Sequence, residues 1–314
     1  MAVAVDSFHL LYREISRSCS SHFEALALIG ALYAASRAVV LLRDCCTVVR
    51  VHFLPRMMPS GRLTQRYGDW AVIYGAAEPV AGAYAEELAR SGISIIFITQ
   101  DGSSVRDAAS FLSQTYRVET AVVTADFSLG QAAAKPVAEA LRGKDVGFLV
   151  NCMDETSASP RSLIEIPERG VLDRVNRNVG AATLMARLVL PGMVERSRGA
   201  VVNISSGACC RPRHGRVTRI DLGYLDHFSR ALHFEYSDKG IFIQSLIPFQ
   251  ISSSSSAEGW FAPSPEVYAR HAVSTLGVST RTTGYWPHTL QCIPEWIWIL
   301  GSRNRCLLFE LLSA

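Results

Sequence analysis

The residues with chemical reach sit where apolar runs end. Ala200–Ile204 runs into Ser205-Ser206, Val146–Val150 into Asn151, Thr120–Ala125 into Asp126, and Trp70–Tyr74 into Gly75-Ala76-Ala77. A hydroxyl, an amide and a carboxylate in such places can orient a bound molecule. A glycine turn leading into a helix can bring backbone N–H groups up to an anion. The supply of cations is lopsided: the chain holds only three lysines, Lys135, Lys144 and Lys239, so nearly all its positive charge is arginine. Any chemistry that needs a lysine has three candidates. Metal chemistry has less still. The eight cysteines include no C-x-x-C pair, their two Cys-Cys doublets lack zinc spacing, and His214 and His227 have no ligand partners at metal spacing.

The elements that must position these groups alternate. From Asp69 onward, apolar runs (Trp70–Tyr74, Ile93–Thr99, Thr120–Ala125, Val146–Val150, Ala200–Ile204, Ile241–Ile247) are separated by helical stretches such as Ala83–Ser91. β-Branched, uninterrupted runs such as ISIIFIT suit strands buried on both faces. Their alternation with helices predicts an α/β fold, a doubly wound parallel sheet that binds ligands beyond the carboxyl ends of its strands. Asp126, Asn151 and Ser206 fall at those ends.

Across roughly residues 69–284 these landmarks resemble the short-chain dehydrogenase/reductase family. Gly75 closes the first strand, Asp126 follows the third and Asn151 the fourth. Asn178-Val179-Gly180-Ala181 resembles the family's helix asparagine, Val202-Asn203-Ile204-Ser205-Ser206 its serine strand, and Pro248 the start of its nicotinamide-side loop. The runs AYAEELA (83–89), VLPGMVER (189–196), YLDHFSRAL (224–232), KGIFIQSLIP (239–248) and TTGYW (282–286) are similar to the 17β-hydroxysteroid dehydrogenase type 3 branch. The resemblance implies a Rossmann-type sheet, an NADP(H) site and a serine–tyrosine–lysine centre that reduces a carbonyl.

Residue by residue, that centre is missing. The reaction needs a tyrosine to donate the proton and a lysine four residues on, one helical turn away, to lower its pKa from near 10. The residues four beyond the ten tyrosines are Ser16, Arg37, Ala71, Glu78, Leu88, Thr120, Phe228, Gly240, Ala272 and Thr289. None is lysine. The tyrosine implied after Ser206 would fall at Arg219, and the nearest tyrosine is Tyr224. The phosphate loop, T-G-x-x-x-G-x-G in the family, reads Tyr74-Gly75-Ala76-Ala77-Glu78-Pro79-Val80-Ala81. Pro79 removes an N–H, Ala81 adds a Cβ where close approach is needed, and Glu78 adds negative charge. The pattern after the fourth strand reads Asn151-Cys152-Met153-Asp154 and lacks its glycine, and Thr99-Gln100-Asp101 stands where NADP-preferring members often place an arginine.

The expectation is a catalytically inactive member of the family with a binding or scaffolding role. The alternative is a residual NADP(H)-dependent oxidoreductase acting on steroid or fatty-acyl carbonyls. Ser206 and Asn178 are vestigial catalytic residues. Gly75, Ala76, Ala77, Asp126 and Asn151 are a vestigial NADP(H) site with no functional cofactor. Ser206 more readily serves as a strand-end hydrogen-bonding residue and Asp126 as a turn cap. The run 211–219 reads as a solvated basic loop and Ser252–Ser256 as a loosened low-complexity loop.

Three regions are expected: an apolar extension over 1–66, the dehydrogenase-like domain over 67–290, and an apolar tail over 291–314 that packs on the body, a partner chain or a membrane. Residues 25–42, ALALIGALYAASRAVVLL, carry one charge, Arg37. A span needs about 20 apolar residues and a mid-span arginine costs roughly 2.5–3.5 kcal/mol, so the segment crosses a membrane, lies on one or packs on the body of the protein. Arg43, Arg50, Arg56 and Arg62 follow on one side. The finer resemblance implies a mitochondrial address and the wider branch the endoplasmic reticulum membrane. Mitochondrial is the expectation, with uncleaved targeting information in the first seventy or so residues, because acidic residues such as Glu14 do not suit a cleavable presequence.

With 49% hydrophobic and 19% charged residues over 314 positions the chain is not disordered. Its net charge of +3 does not argue for nucleic acid. The expected partners are an unidentified protein, a membrane and a second copy of the chain.

Overall fold

The computed structural model describes residues 2–57, 63–127, 132–152, 167–205, 220–252 and 258–291. By compactness the chain divides at Arg50/Val51, so that residues 51–66 group with the body.

The first unit is a long helix, α1 (Ala2–Val48). Leu26, Leu28, Ile29, Leu32, Tyr33, Val39, Leu41 and Leu42 are all exposed on it. At 100° per residue these positions go all round the helix and form no single stripe. By length and composition α1 together with the turns that continue it is able to cross a membrane. Arg37 is shielded locally: its Nε donates to the Tyr33 hydroxyl (3.2 Å) and its guanidinium lies over the Tyr33 ring.

The body begins with two short helices, α2 (Leu54–Met57) and α3 (Leu63–Tyr67), and then alternates. In chain order follow β1 (Trp70–Tyr74), α4 (Pro79–Arg90), β2 (Ser94–Thr99), α5 (Ser103–Tyr116), β3 (Thr120–Thr124), α6 (Ala134–Leu141), β4 (Val146–Cys152), α7 (Glu168–Val175), α8 (Ala181–Glu195), β5 (Gly199–Ile204), α9 (Ile220–Tyr236), β6 (Ile241–Leu246), α10 (Pro265–Val273) and β7 (Arg281–Thr282). The seven strands form one parallel sheet in the order β3-β2-β1-β4-β5-β6-β7. One face packs Ile73, Phe97, Phe148 and Val202 against Tyr84, Leu88, Tyr268 and Ala272 of α4 and α10. The other packs Val72, Ile96, Leu149 and Ile243 against Met185, Val189 and Leu190 of α8 and Leu232 of α9. Burial on both faces is why the central strands are mostly apolar, with amides at Asn151 and Asn203 near the ends of β4 and β5.

The predicted strands are present with small shifts. The helix read over 83–91 starts earlier, at Pro79, whose fixed φ suits a first helical position. Asn151 lies inside β4, which runs on to Cys152. The two-residue β7 is too short to show a period in the sequence. Sheet order reverses between β1 and β4, and there two glycines allow the backbones to meet. At Gly68 (φ +139°) a Cβ would stand 2.8 Å from the Cα of Gly147.

Candidate functional site

The loop after β1 crosses the end of β4. Gly75 holds φ +76°, and a Cβ there would lie 2.1 Å from the Cys152 carbonyl oxygen, so glycine is required for the chain to pass. The loop then tightens: the Glu78 N–H donates to the Gly75 carbonyl (3.0 Å) and the Gly82 N–H to the Glu78 carbonyl (3.1 Å). Two donors at the helix start are therefore withdrawn from any anion, because Glu78's N–H is used within the loop and Pro79 has none. Ala76 is buried and Ala77 exposed in the turn. Ala81 is fully buried, its methyl part of the core beside Ala85 and Tyr84. Helix dipole and turn persist, but with fewer donors and an added carboxylate at the helix start they do not fit a dinucleotide pyrophosphate.

Beyond β2 and β3 the polar groups pair with one another. Gln100 Nε2 donates to Asp126 Oδ1 (3.0 Å), tying together the two strand ends where an adenosine would lie. Asp101 accepts from the Ser103 N–H (2.9 Å) and hydroxyl (2.7 Å), which holds its carboxyl below the usual range.

On the other side of the switch point, Asn178 is buried in a π-turn, Asn176–Gly180, that joins α7 to α8. The Tyr74 hydroxyl donates to the Arg177 carbonyl there (2.6 Å), one of the bonds that fix the widened turn. Ser206 and Arg219, and with them the run 211–219, lie outside the described residues, as do Met153, Asp154 and the tail beyond Gln291. Ser205, just before, is buried and donates its hydroxyl to the Leu246 carbonyl (3.1 Å).

A residue to which the sequence assigns no role beyond membership of the serine strand organises this region. Asn203, fully buried in β5, accepts from Asn151 Nδ2 (2.8 Å) and donates to the Ser229 hydroxyl of α9 (2.8 Å). Ser229 donates in turn to the Leu225 carbonyl (2.6 Å). Its signal was an amide inside the otherwise apolar run AVVNI. Asn151 thus serves as a strand-to-strand tie. Tyr224 is engaged as well: its hydroxyl pairs with Thr183 Oγ1 of α8 (2.6 Å), and its ring stacks on Phe228.

No described lysine reaches this region. Lys144 precedes β4 and Lys239 precedes β6, both at the amino edge of the sheet, where they lie over the rings of Trp70 and Tyr236. Lys135 is exposed on α6, beside edge strand β3. Five tyrosine hydroxyls are shifted in the direction that does not suit an acid. Tyr67, Tyr84, Tyr268 and Tyr285 are pushed up, by burial first, and Tyr236 by its hydrogen bond to Glu235. A tyrosine acting as an acid near neutral pH needs the opposite shift.

The loops beyond β6 and β7 are filled by rings. His288, fully buried, accepts from the Phe249 N–H at Nδ1 (3.3 Å), so its proton sits on Nε2, which faces the Phe261 carbonyl (3.2 Å). Phe249, Tyr268 and Tyr285 surround it. Burial, against weaker support from backbone hydrogen bonds, lowers its pKa to about 4. His52 meets Thr289 Oγ1 (2.9 Å) and His271 receives Arg56; both are lowered to about 4, by burial first and then by the Arg56 charge. Among the described residues no group of three His, Cys, Asp or Glu side chains could hold a metal.

A parallel sheet of this order with a glycine turn at its switch point defines a dinucleotide-fold protein. Residues 69–260 match the short chain dehydrogenase family, and the chain belongs to that family. It is 51% identical over 311 residues, 96% of this chain and 98% of the relative, to the inactive hydroxysteroid dehydrogenase-like protein 1 of Danio rerio. It is 34% identical over 268 residues, 83% of this chain and 84% of the relative, to the very-long-chain 3-oxoacyl-CoA reductase of Anas platyrhynchos. A solved 7β-hydroxysteroid dehydrogenase structure superposes with a TM-score of 0.63 at 26% identity, covering 71% of this chain and 89% of that one. With no Tyr-x-x-x-Lys anywhere in its sequence, the chain is a catalytically inactive member of the family.

Proposed function

We propose that this chain no longer uses NADP(H) and acts as a non-catalytic binding or scaffolding protein, held on a membrane by residues 25–42 and addressed to mitochondria. The observation that carries this reading is the joint loss, in one sequence, of the tyrosine–lysine pair and of two phosphate-loop glycines. The loop geometry supports it, since the helix start lacks two donors and the Asp126 carboxylate is tied to Gln100. The apolar circumference of α1 supports the membrane contact. A residual reductase on steroid or fatty-acyl carbonyls would need a proton donor that no described residue provides.

The test is a nucleotide titration of the full chain by thermal melting. A ligand at a hundred times its Kd stabilises by about 2.7 kcal/mol, a shift of several degrees in a domain of this size. No shift is expected with NADPH or NADH at millimolar concentration, and a dose-dependent rise would overturn the cofactor part of the proposal. For the address, a fluorescent reporter fused to residues 1–70 is expected on mitochondria; a diffuse reporter contradicts it.

A further inference from the structure

We infer that the body of the protein carries a second membrane contact of its own, an exposed aromatic face that seats in the bilayer interface; this rests on the membrane reading above. The face draws on three separate stretches of the body. Phe53 meets Trp286 (ring centroids 5.8 Å), Trp286 meets Trp260 edge-on (5.5 Å), and Trp260 stacks on Phe261 (5.9 Å). These rings are not core. Trp260 is 63% exposed, Phe261 52% and Phe53 39%, and beside Phe53 in the chain Leu54 and Met57 are exposed at 42% and 81%.

A surface ladder of this kind is costly to leave in water, since soluble monomers rarely expose large contiguous apolar patches. The short hairpin-like turn that lifts Trp260 and Phe261 outward is fixed by paired backbone hydrogen bonds between Gly259 and Ala262 (3.0 Å each). From beneath, the His288 Nε2–H contact to the Phe261 carbonyl holds it. The rings are thus presented on a braced support.

Three features point to lipid as the occupant. Tryptophan and phenylalanine beside arginine suit the headgroup level, where an amphipathic indole keeps its ring in apolar surroundings and its N–H in wet ones. Arg56, within the same stretch as Phe53 and Met57, meets His271 and adds positive charge on this side of the body, which favours lipid phosphate. The third feature is covalent reach. Only ten residues lie between Leu42, the end of the apolar segment, and Phe53, eleven residue steps in all. That is on the order of 16 Å if helical and under about 40 Å fully extended, so the connection bounds how far the ladder can stand from a membrane that holds residues 25–42.

The experiment uses the full chain with vesicles of phosphatidylcholine and phosphatidylserine (4:1), in which the phosphatidylcholine tails are brominated to quench nearby indoles. Wild type is compared with Trp260→Phe and with Trp260→Phe/Trp286→Phe, and flotation of each with unbrominated vesicles is recorded in parallel. Phenylalanine at exposed Trp260 and at half-buried Trp286 is a mild exchange that keeps the hydrophobic contact. Flotation is expected in all three, and the bromine-quenched part of the emission should fall at least about twofold in the double variant. Flotation with quenching unchanged by either substitution overturns the aromatic contact and leaves the helix anchor standing, with the ladder then free for a protein or for the chain's own tail. Failure of wild type to float overturns the membrane reading itself.

Discussion

The nucleotide half of the sheet, β1 to β3, and the catalytic half, β4 to β7, have lost chemistry in different ways. In the first, the glycine that lets the backbone cross remains, while the glycines that would admit a phosphate have become Pro79 and Ala81. Gly75 could not change without driving a Cβ into the Cys152 carbonyl. Ala81 could, because its methyl adds to the core. In the second half the proton-transfer pair has disappeared, yet the amides beneath it persist as Asn151–Asn203–Ser229, a buried chain joining two strands to α9. In both halves, what survives is what the packing needs. A residue that the packing needs is kept whether or not chemistry is present, so its presence alone says nothing about activity.

The sharpest way to break this distinction is at Gly75. Gly75→Ala should cost about 3–5 kcal/mol by strain at a positive φ and a backbone clash, read as a large drop in melting temperature. A neutral substitution would mean the crossing is not structural. Next comes Asn203→Ala, which strands the Asn151 amide N–H in the interior and takes from Ser229 the bond it accepts, leaving only its bond to the Leu225 carbonyl. A loss of roughly 2–4 kcal/mol is expected in urea unfolding, with the midpoint shifted and the slope unchanged.

A third effect is set by pH. His52, His271 and His288 are held near pKa 4, below the 6.5 of an unfolded chain. Between those values the unfolded state binds more protons, so their contribution is fully present above about pH 6.5 and is lost as the pH falls toward 4. Unfolding midpoints measured from pH 7 down to pH 4.5 should decline, and His288→Phe should flatten part of that decline. The smallest effect is expected at Tyr224→Phe, which removes one half-exposed hydrogen bond to Thr183, about 0.5–1 kcal/mol. A far larger loss would show that Tyr224 does more than brace α9 against α8.

The strands were legible because burial on both faces leaves runs such as ISIIFIT without interruption, and the loop defects were legible because proline and glycine act locally. Asn203 was not, since one amide in an apolar strand gives no hint of the partners the fold brings from Asn151 and Ser229. The neutral histidines were equally hidden: His52, His271 and His288 are far apart in sequence, and only the packing of residues 51–57 and of the turns after β7 gathers them. The short strand β7 has too few residues to show a period. The π-turn that carries Asn178 is a detail of hydrogen bonding that residue type does not display.

The most direct measurement is hydride transfer itself. Full-length protein is incubated with NADPH and, in separate assays, a 17-keto steroid and a long-chain 3-oxoacyl-CoA, and the loss of reduced nicotinamide absorbance is followed. A rate indistinguishable from the protein-free blank is expected with both substrates. Turnover well above that blank and abolished by Ser206→Ala would contradict the conclusion that the catalytic centre is gone.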